Sequence, residues 1–492
     1  MTTKLSAATL AGLPANVAGP HYDRAALTAG ILHFGVGNFH RAHQAVYLDD
    51  LFNSGAGHDW AIVGAGVFEA EKAGRRRLAA QDWLTTVVEQ DEHRREARVT
   101  GSMIDFIEPG NMAAIMTRLA DPAIRIVSLT ITEGGYFIDP ASGRFDPTHP
   151  DIVGDAQHPA APRTVFGLIL AGLVRRRQDG VAPFTVMSCD NIPHNGRVTS
   201  EGVVGLARLI DEDLADWVAG HVSFPNSMVD RITPATSDRE RAILADEFGL
   251  EDVWPVFCEP FRQWVLEDRF TDGRPALENV GVQFVKDVSP YETMKIRILN
   301  GGHAAIAYPA GLMDIHFVHE AMQEPLVRGF LEKLEQEEII PVVPPVPDTS
   351  LEDYYRLIDR RFSNPRIGDT VRRLCLDGSN RQPKFIIPTI ADRLKAGQGI
   401  AGLALESAFW CRYCFGTTDS GAVTEPNDPN WDRMQAVAKA AKDDPAAWLA
   451  MEDIYGEVGR APVFAAAFSH ALQALWANGA RETLTRYLAG RL

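Results

Sequence analysis

The chain has 492 residues, of which 46% are hydrophobic and 23% charged, and its formal net charge is -17. These proportions are typical of a globular protein, and the length predicts two or three domains. The negative charge argues against a nucleic-acid partner, because a phosphate backbone binds clustered Lys and Arg. No segment approaches the roughly 20 apolar residues that cross a bilayer. The 5 cysteines form no disulfide framework, so we expect a cytoplasmic protein with no membrane partner.

Four continuous apolar stretches early in the chain predict buried strands, and helical patterns separate them. They are GILHFGV (30–36), WAIVGAGV (60–67), AIRIVSLTIT (123–132) and FTVMSCDN (184–191). Continuous apolar strands that alternate with helices indicate a parallel, doubly wound α/β sheet covered on both faces. From about residue 285 most segments are typical of helices. We therefore predict a doubly wound domain over residues 1–284 and a mainly α-helical substrate and catalytic domain over residues 285–492.

The turn after the first strand has the glycines of a dinucleotide-binding loop. In HFGVGNFHR, Gly35 allows a tight turn, and Gly37 lets the backbone approach the phosphates at the start of a helix near Asn38. His40 replaces the third glycine of the usual pattern. A tight turn without a ligand is the alternative interpretation. We predict a Rossmann-type domain with these cofactor-binding residues in and after the turn: Gly35, Gly37, Asn38, Phe39, His40 and Arg41.

An acidic residue follows the second strand. In VGAGVFEAE, Glu69 lies roughly where a carboxylate accepts hydrogen bonds from the adenosine ribose, which favours NAD over NADP. Arg75, Arg76 and Arg77 follow soon after and could receive the 2′-phosphate of NADP. A solvated helix face is the simpler interpretation of these arginines, so we predict NAD as the cofactor.

The segment YETMKIRILNGGH (291–303) combines an apolar helix pattern with an amine, an amide and an imidazole. At 100° per residue, Glu292, Lys295, Asn300 and His303 share one broad helix face. A lysine partly removed from water can accept a proton from an alcohol. An asparagine can donate to a developing oxyanion, and a histidine can orient a substrate. Each residue alone is more often a packed or solvated side chain, but together they predict a catalytic site.

Two short patterns resemble metal-binding spacings. His40 and His43 lie three residues apart, and Cys411 and Cys414 form a single CxxC. Neither pattern has the further ligands of a zinc site at suitable spacing. We therefore predict no metal, and core packing for the two cysteines.

The combined motifs resemble the polyol-specific long-chain dehydrogenase/reductase family. The resemblance rests on HFGVGNFHRAHQA, SLTITEGGY, TVMSCDNIPHNG, FPNSMVDRITP and the K-x4-N-x2-H spacing of Lys295, Asn300 and His303, within residues 31 to 385. It implies that Lys295 is the general base in polyol oxidation and that Asn300 and Asn191 form the oxyanion site. It also implies that His303 orients the substrate.

The resemblance assigns further residues to the substrate and the proton. Asp230 and Arg373 would bind other substrate hydroxyls, although an ion pair between the two is an alternative. Glu292 and Glu133 would conduct the proton between the base and solvent, although Glu133 could simply cap a turn.

The chain departs from the family pattern at two places. Arg381 of GSNRQPKF stands where relatives commonly have Lys, within the same substrate-binding region. The stretch after Gly66 is one residue shorter, which makes Glu71 an alternative to Glu69 as the ribose ligand.

We expect an NAD-dependent, metal-independent monomeric enzyme that interconverts D-mannitol and D-fructose. D-arabinitol, sorbitol, fructuronate and tagaturonate are alternative substrates within the family. Arg381 keeps a uronate open because a guanidinium pairs well with a carboxylate. A protein that binds NAD without turnover is the alternative of a different class. It is disfavoured because a pure sensor need not retain a proton-transfer lysine.

Overall fold

The computed structural model describes residues 2–139 and 143–492. The chain divides into two compact units, one ending at Ser289 and one beginning at Pro290; the sequence predicted a boundary near residue 285. Among the described residues, no helix is long and apolar enough to cross a membrane.

Unit 1 combines strands and helices. Its strands are β1 (Thr3–Lys4), β2 (Val17–Ala18), β3 (Ala29–Phe34), β4 (Ala61–Ala65), β5 (Thr85–Gln90), β6 (Arg95–Thr100), β7 (Met103–Phe106), β8 (Ile126–Leu129), β9 (Thr185–Ser188), β10 (Ser227–Asp230), β11 (Leu250–Glu251), β12 (Val256–Cys258), β13 (Gln263–Glu267) and β14 (Gln283–Val285). Its helices are α1 (Asn38–Ala42), α2 (Gln44–Asn53), α3 (Glu71–Ala79), α4 (Met112–Ala120), α5 (Pro150–Gln157), α6 (Val165–Asp179), α7 (Asn195–Ile210), α8 (Glu212–His221) and α9 (Asp238–Phe248).

The main sheet of unit 1 is parallel and has the strand order β7-β4-β3-β8-β9. The four strands predicted from the sequence are β3, β4, β8 and β9, so the predicted fold class is confirmed. The strand order reverses at β3, since β4 lies on one side and β8 on the other. Ligands of open α/β sheets bind in the crevice outside the carboxyl ends of the strands at such a switch point.

Both faces of this sheet are covered, which explains why β3 is apolar at nearly every position. Leu32 and Phe34 pack in a core with Phe166 of α6. Ile31 packs on the opposite face with Leu48 of α2 and Trp264 of β13. Successive side chains of a strand point to opposite faces, so a strand buried on both sides needs apolar residues throughout.

Three smaller sheets of unit 1 were not predicted. One has the order β12-β5-β6-β2, with an antiparallel hairpin of β5 and β6, another has the order β10-β13-β14, and the third pairs β1 with β11. Most of their strands have two to five residues, and the longest two carry polar or charged residues, as in REARVT of β6. The continuous apolar runs that marked the parallel strands are therefore missing from their sequences.

One arginine of α6 lies inside unit 1. Arg176 is 1% exposed, and its guanidinium donates to the carbonyl oxygens of Leu119 (2.7 Å), Ile124 (2.5 Å), Ala182 (2.7 Å) and Asp121. A buried charge needs such partners. Burial nevertheless lowers the pKa of Arg176 to about 10, so it remains protonated at neutral pH. This arginine joins the end of α6 to the segment that leads into β8.

Unit 2 is helical, as the sequence predicted. Its α-helices are α10 (Ser289–Met294), α11 (Gly301–Leu312), α12 (Val318–Gln323), α13 (Pro325–Leu334), α14 (Leu351–Phe362), α15 (Val371–Leu374), α16 (Gly378–Phe385), α17 (Ile387–Lys395), α18 (Ala401–Cys414), α19 (Trp431–Ala441), α20 (Ala446–Leu449), α21 (Glu452–Gly459) and α22 (Pro462–Leu488). Two π-helices interrupt this pattern, the first over Lys295–Asn300 and the second over Glu335–Ile339.

Candidate functional site

The glycine turn follows β3 directly and leads into α1, which begins at Asn38 as predicted. Gly35 has a φ of +95°, and a Cβ atom there would lie 2.0 Å from the carbonyl oxygen of Thr130. Gly37 is the N-cap of α1 and has no capping side chain. A Cβ at Gly37 would meet only the Gly35 carbonyl oxygen, at 3.7 Å. The turn therefore leaves backbone N–H groups and open space where a pyrophosphate needs them.

The side chains that follow the turn are held within unit 1. Arg41 is fully buried, stacks on Trp254 at 3.8 Å and donates to Asn38 Oδ1 at 2.7 Å. His40 is 1% exposed and stacks on the ring of His33. Phe39 stacks on the ring of His43, with centroids 4.8 Å apart. Because the side chains of His40 and Arg41 are buried, any contact of these two residues with a dinucleotide would be made by the backbone.

Two carboxylates lie after β4. The Glu69 side chain is 83% exposed and forms an ion pair of 2.7 Å with Lys72. The Glu71 carboxylate accepts the N–H of Phe68 at 2.8 Å and lies against Gly66, 2.6 Å from where a Cβ would be. Burial raises the pKa of Glu71. Glu69 is thus the accessible carboxylate, and Glu71 is the one adjacent to the strand end.

A carboxylate that the sequence analysis missed joins the loops after β8 and β9. Asp190 accepts the N–H groups of Ile131 (2.8 Å) and Thr132 (2.9 Å) and the hydroxyl of Tyr136 (2.6 Å). These bonds attach the loop that contains Glu133 to Asp190, which directly precedes Asn191. Both Glu133 and Asn191 are exposed. Burial raises the pKa of Asp190, although its hydrogen bonds oppose that effect. An acidic residue directly after a buried strand was the available sequence signal.

Asp230 is the last residue of β10, pairs with Gln263 in the neighbouring strand and is 6% exposed. The next residue, Arg231, donates to the carbonyl oxygens of Ala42 (2.5 Å) and Glu259 (3.0 Å) and pairs with Glu89. Arg231 therefore joins the end of α1 to the strand that carries Asp230. Its role was not predicted, because a single arginine in DRITP has no pattern that distinguishes it from a surface residue.

In unit 2 the predicted catalytic helix is not a regular α-helix, so the 100° spacing used to place its residues is wrong. The segment Lys295–Asn300 is a π-helix, whose hydrogen bonds join residues five apart. Lys295 and Asn300 are separated by five residues and therefore lie one wide turn apart on the same side. His303 follows in the first turn of α11. Single-turn π-segments are frequent at functional sites, but no residue pattern in KIRILN marks one.

Of the predicted catalytic residues of unit 2, Lys295 is buried, and Asn300 and His303 are half-buried. Lys295 and Glu292 are each 6% exposed. The pKa of His303 lies well below its usual value because of burial, and because Arg373, Arg361, Arg381 and Lys295 disfavour a second positive charge. His303 is therefore neutral at physiological pH. The structure thus brings Lys295, Arg373 and Arg381 within electrostatic range of His303.

Two polar atoms in this part of unit 2 are buried without a hydrogen-bond partner: Oδ1 of Asn300 and Nε2 of His303. The His303 ring stacks on Phe362 with centroids 4.1 Å apart, which fixes the ring plane. Unpaired buried polar atoms are costly in a folded protein. Unpaired atoms on two residues only three positions apart are typical of a site that a polar ligand completes.

The two predicted substrate-binding arginines are held near α15 and α16. Arg373 pairs through two nitrogens with both carboxylate oxygens of Asp369, and this pairing raises its pKa against the effect of burial. Arg381 donates to the carbonyl oxygen of Leu374 at 3.3 Å. Asp369 was not predicted, although its spacing of four residues from Arg373 is typical of a helical ion pair.

Two buried acids of unit 2 also escaped the sequence analysis. Both carboxyl oxygens of Glu335 lack a partner, and Oε1 lies 3.2 Å from where a Cβ of Gly302 would be. Glu406 accepts a hydrogen bond of 2.6 Å from Gln382, and burial raises its pKa to about 8. Burial likewise raises the pKa of Glu335 well above its usual value.

The predicted core cysteines, Cys411 and Cys414, are buried free thiols in α18. Across residues 2–139 and 143–492, no group of three or more His, Cys, Asp and Glu side chains has an arrangement that could hold a metal ion.

Two family models together match most of the chain. Residues 29–279 match the mannitol dehydrogenase Rossmann domain, and residues 287–476 match the mannitol dehydrogenase C-terminal domain. The chain belongs to the mannitol dehydrogenase family.

Individual members of the mannitol dehydrogenase family are similar over nearly their whole length. Mannitol 2-dehydrogenase of Cereibacter sphaeroides is 63% identical over 476 residues, which are 96% of this chain and 99% of that protein. Mannitol 2-dehydrogenase of Neosartorya fischeri is 42% identical over 477 residues, 95% of each chain.

Two solved structures have the same fold. The ternary complex of Pseudomonas fluorescens mannitol 2-dehydrogenase with NAD and D-mannitol matches with a TM-score of 0.90 and 45% identity, covering 99% of this chain and 100% of that chain. D-sorbitol dehydrogenase in its substrate-free form matches with a TM-score of 0.90 and 36% identity, covering 98% of this chain and 100% of that chain.

The glycine turn gives a stability prediction. Gly35→Ala should lower the free energy of unfolding by about 1 to 2 kcal/mol for the left-handed backbone and by about 1 to 3 kcal/mol more for the collision with Thr130. Gly55→Ala is the matched control, since Gly55 has a φ of +86° but no atom within 4 Å of the added carbon. Urea denaturation measures both losses. Equal losses in the two variants would contradict the importance of the close approach to Thr130.

Proposed function

We propose that this protein is an NAD-dependent dehydrogenase that oxidises D-mannitol to D-fructose and catalyses the reverse reduction. The close similarity to enzymes named mannitol 2-dehydrogenase supports the reaction. The solved relative that holds NAD and D-mannitol supports both ligands. The single structural observation that carries the proposal is the π-helix, which puts Lys295 and Asn300 one turn apart next to a neutral His303.

The residues of the glycine turn suit NAD. Gly35 and Gly37 leave the backbone uncovered at the start of α1, and Glu69 or Glu71 would accept hydrogen bonds from the adenosine ribose. When bound, NAD supplies the acceptor for the hydride that leaves the carbinol carbon of the polyol. The buried side chains of unit 1 keep the turn fixed before the cofactor arrives, which reduces the entropy lost on binding.

Lys295 would take the proton of the reacting hydroxyl group onto its Nζ atom during oxidation and return it during reduction. Its burial favours this role, because a desolvated amine is more easily kept uncharged. The amide of Asn300 would donate a hydrogen bond to the substrate oxygen as negative charge develops there. Neutral His303 has one ring nitrogen that donates and one that accepts, so it can hold a substrate hydroxyl in either sense.

The remaining predicted residues would bind the substrate or carry the proton. In unit 1, Asn191 would stabilise the oxyanion and Asp230 would accept hydrogen bonds from substrate hydroxyls, and in unit 2 Arg373 and Arg381 would donate to them. Glu292 and Glu133 would carry the proton between Lys295 and solvent. We also propose that no metal takes part, because the amine and the amides together supply the proton acceptor and the oxyanion donors that a metal would otherwise replace.

D-Sorbitol is the second candidate substrate. The structural neighbour that is a D-sorbitol dehydrogenase supports it, and sorbitol differs from mannitol only in the configuration at one carbon. A uronate is less suitable, because the buried carboxylate of Asp230 would repel its negative charge unless an arginine paired with it directly.

The role of Lys295 can be tested by substitution. Lys295→Ala should lower kcat for mannitol oxidation by about 10²- to 10⁴-fold, the usual contribution of a general base, while the dissociation constant for NADH changes little. The exposed Lys395 of α17 provides the matched control, since Lys395→Ala removes a lysine charge from the same unit. Turnover of the Lys295 variant close to that of the control would exclude the proposed role.

The substrate assignment requires a panel of D-mannitol, D-sorbitol, D-arabinitol, D-fructose, fructuronate and tagaturonate, followed by nicotinamide absorbance. Mannitol and fructose should have the highest kcat/KM, and Asp230→Ala should lower kcat/KM for both by about 10- to 100-fold through loss of a charged acceptor. NADH binding by the same variant separates this effect from misfolding. Faster reduction of a uronate than of fructose would overturn the mannitol assignment and leave the dehydrogenase class intact.

Cofactor choice provides a further prediction. The wild-type protein should have a higher kcat/KM with NAD than with NADP, and Glu69→Lys should shift this ratio towards NADP by removing repulsion of the 2′-phosphate. Glu92→Lys reverses a surface charge elsewhere in unit 1 and should leave the ratio unchanged. If Glu69→Lys also leaves it unchanged while Glu71→Gln alters it, the ribose ligand is Glu71.

A further inference from the structure

A fully buried histidine lies in the middle of β3, among apolar side chains. Nδ1 of His33 lies 2.8 Å from Oγ of Ser128, and Nε2 lies 3.0 Å from Oγ1 of Thr130. The ring also stacks on His40 of α1, with centroids 3.6 Å apart and planes inclined by 14°. A polar side chain in the core of a sheet is costly unless it is fully hydrogen-bonded, so this one has a specific role to explain.

The hydrogen bonds of His33 extend in both directions along a chain of side chains. On one side the hydroxyl of Thr130 donates to the carbonyl oxygen of Gly35 at 2.7 Å. On the other side Oγ of Ser128 lies 3.1 Å from the side-chain amide of Gln44 in α2. The chain therefore runs from α2 through β8 and β3 and ends on the glycine turn.

Counting protons gives this chain one direction. Burial lowers the pKa of His33 to about 3, so the ring is neutral and carries a single proton. Because the hydroxyl group of Thr130 donates its hydrogen bond to the Gly35 carbonyl oxygen, Nε2 of His33 must donate to Oγ1 of Thr130. Nδ1 of His33 then has no proton and accepts a hydrogen bond from the hydroxyl group of Ser128. The remaining contact of Ser128 must come from a donor, which is the amino group of Gln44 after a 180° rotation of its amide.

The same rotation removes a second deficit. The amide nitrogen of Gln44 is a buried donor without a partner, and after the rotation it donates to Oγ of Ser128. A buried donor that gains a partner avoids a cost of about 1 to 3 kcal/mol.

We infer that His33 is a positioning residue for the dinucleotide-binding turn: through Thr130 it holds the carbonyl group of Gly35 inwards, so that the N–H groups of the turn point to the cofactor phosphates. The short distance between Gly35 and Thr130, which excludes any side chain at Gly35, agrees with this arrangement. The inference rests on the proposed binding of NAD. The cofactor need not touch any of the four hydrogen-bonded side chains, which are those of Gln44, Ser128, His33 and Thr130.

Three variants test the inference by calorimetric titration with NAD. His33→Phe keeps an aromatic ring against His40 but removes both ring nitrogens, Thr130→Val removes the hydroxyl at constant shape, and Thr130→Ser restores it. The first two should raise the dissociation constant for NAD at least about tenfold, and Thr130→Ser should stay within about twofold of wild type. The KM for NAD should rise in the same variants, while the KM for mannitol changes less than about twofold.

The double variant His33→Phe/Thr130→Val distinguishes a chain from two independent losses. If His33 acts through Thr130, the double variant has the same dissociation constant for NAD as Thr130→Val. If its dissociation constant instead rises by the product of the two single-variant factors, the inference is overturned. NAD binding by His33→Phe at wild-type affinity would also overturn it. Should His33→Phe fail to fold, Ser128→Ala replaces it. A dissociation constant for NAD equal to that of the wild type in this variant would likewise overturn the inference. Absence of NAD binding by the wild-type protein would instead refute the proposed function.

Thr100→Val is the matched control. Thr100 lies buried in β6 and donates to the carbonyl oxygen of Thr85 at 3.3 Å, so its substitution also removes a strand hydroxyl bonded to a backbone carbonyl. It lies outside the chain that ends on Gly35 and should leave the dissociation constant for NAD unchanged. A rise equal to that of Thr130→Val would assign the effect to general loosening of unit 1.

Discussion

The change from four-residue to five-residue hydrogen-bond spacing between Lys295 and Asn300 is the constraint that sets the arrangement of polar side chains in this part of unit 2. In a regular α-helix, residues five apart point in different directions, because each residue advances 100°. In the wider turn the amine and the amide lie on the same side of the helix. Gly302 then lets the carboxyl group of Glu335, from the second π-helix, approach the backbone directly.

Burial without a counter-charge is the recurring electrostatic feature of both units. His33, His40 and His303 are held neutral by desolvation. The same effect raises the pKa of Glu335 well above its usual value and that of Glu406 to about 8, which favours a protonated carboxyl group. A neutral imidazole can donate and accept at once. A protonated carboxyl group can do the same, so the interior keeps hydrogen-bonding capacity without paired charges.

The sequence predicted the parts of the fold that repeat a simple pattern. The strands β3, β4, β8 and β9 have continuous apolar runs because both faces of their sheet are covered, and the start of α1 at Asn38 follows from the glycine turn. The first π-helix was not predictable, because KIRILN is equally compatible with an α-helix. Asp190 and Arg231 were missed for another reason. Each acts through a partner distant in sequence or through backbone groups, and neither leaves a periodic signal.

The way in which α6 is attached to the parallel sheet determines how that junction responds to solution conditions. Arg176 is satisfied by carbonyl dipoles of the backbone, whereas exposed pairs such as that between Arg175 and Asp179 join two mobile ions. Carbonyl groups do not titrate, and a buried contact is little screened by dissolved ions. Acid and high ionic strength should therefore weaken many surface pairs of unit 1 while this junction persists.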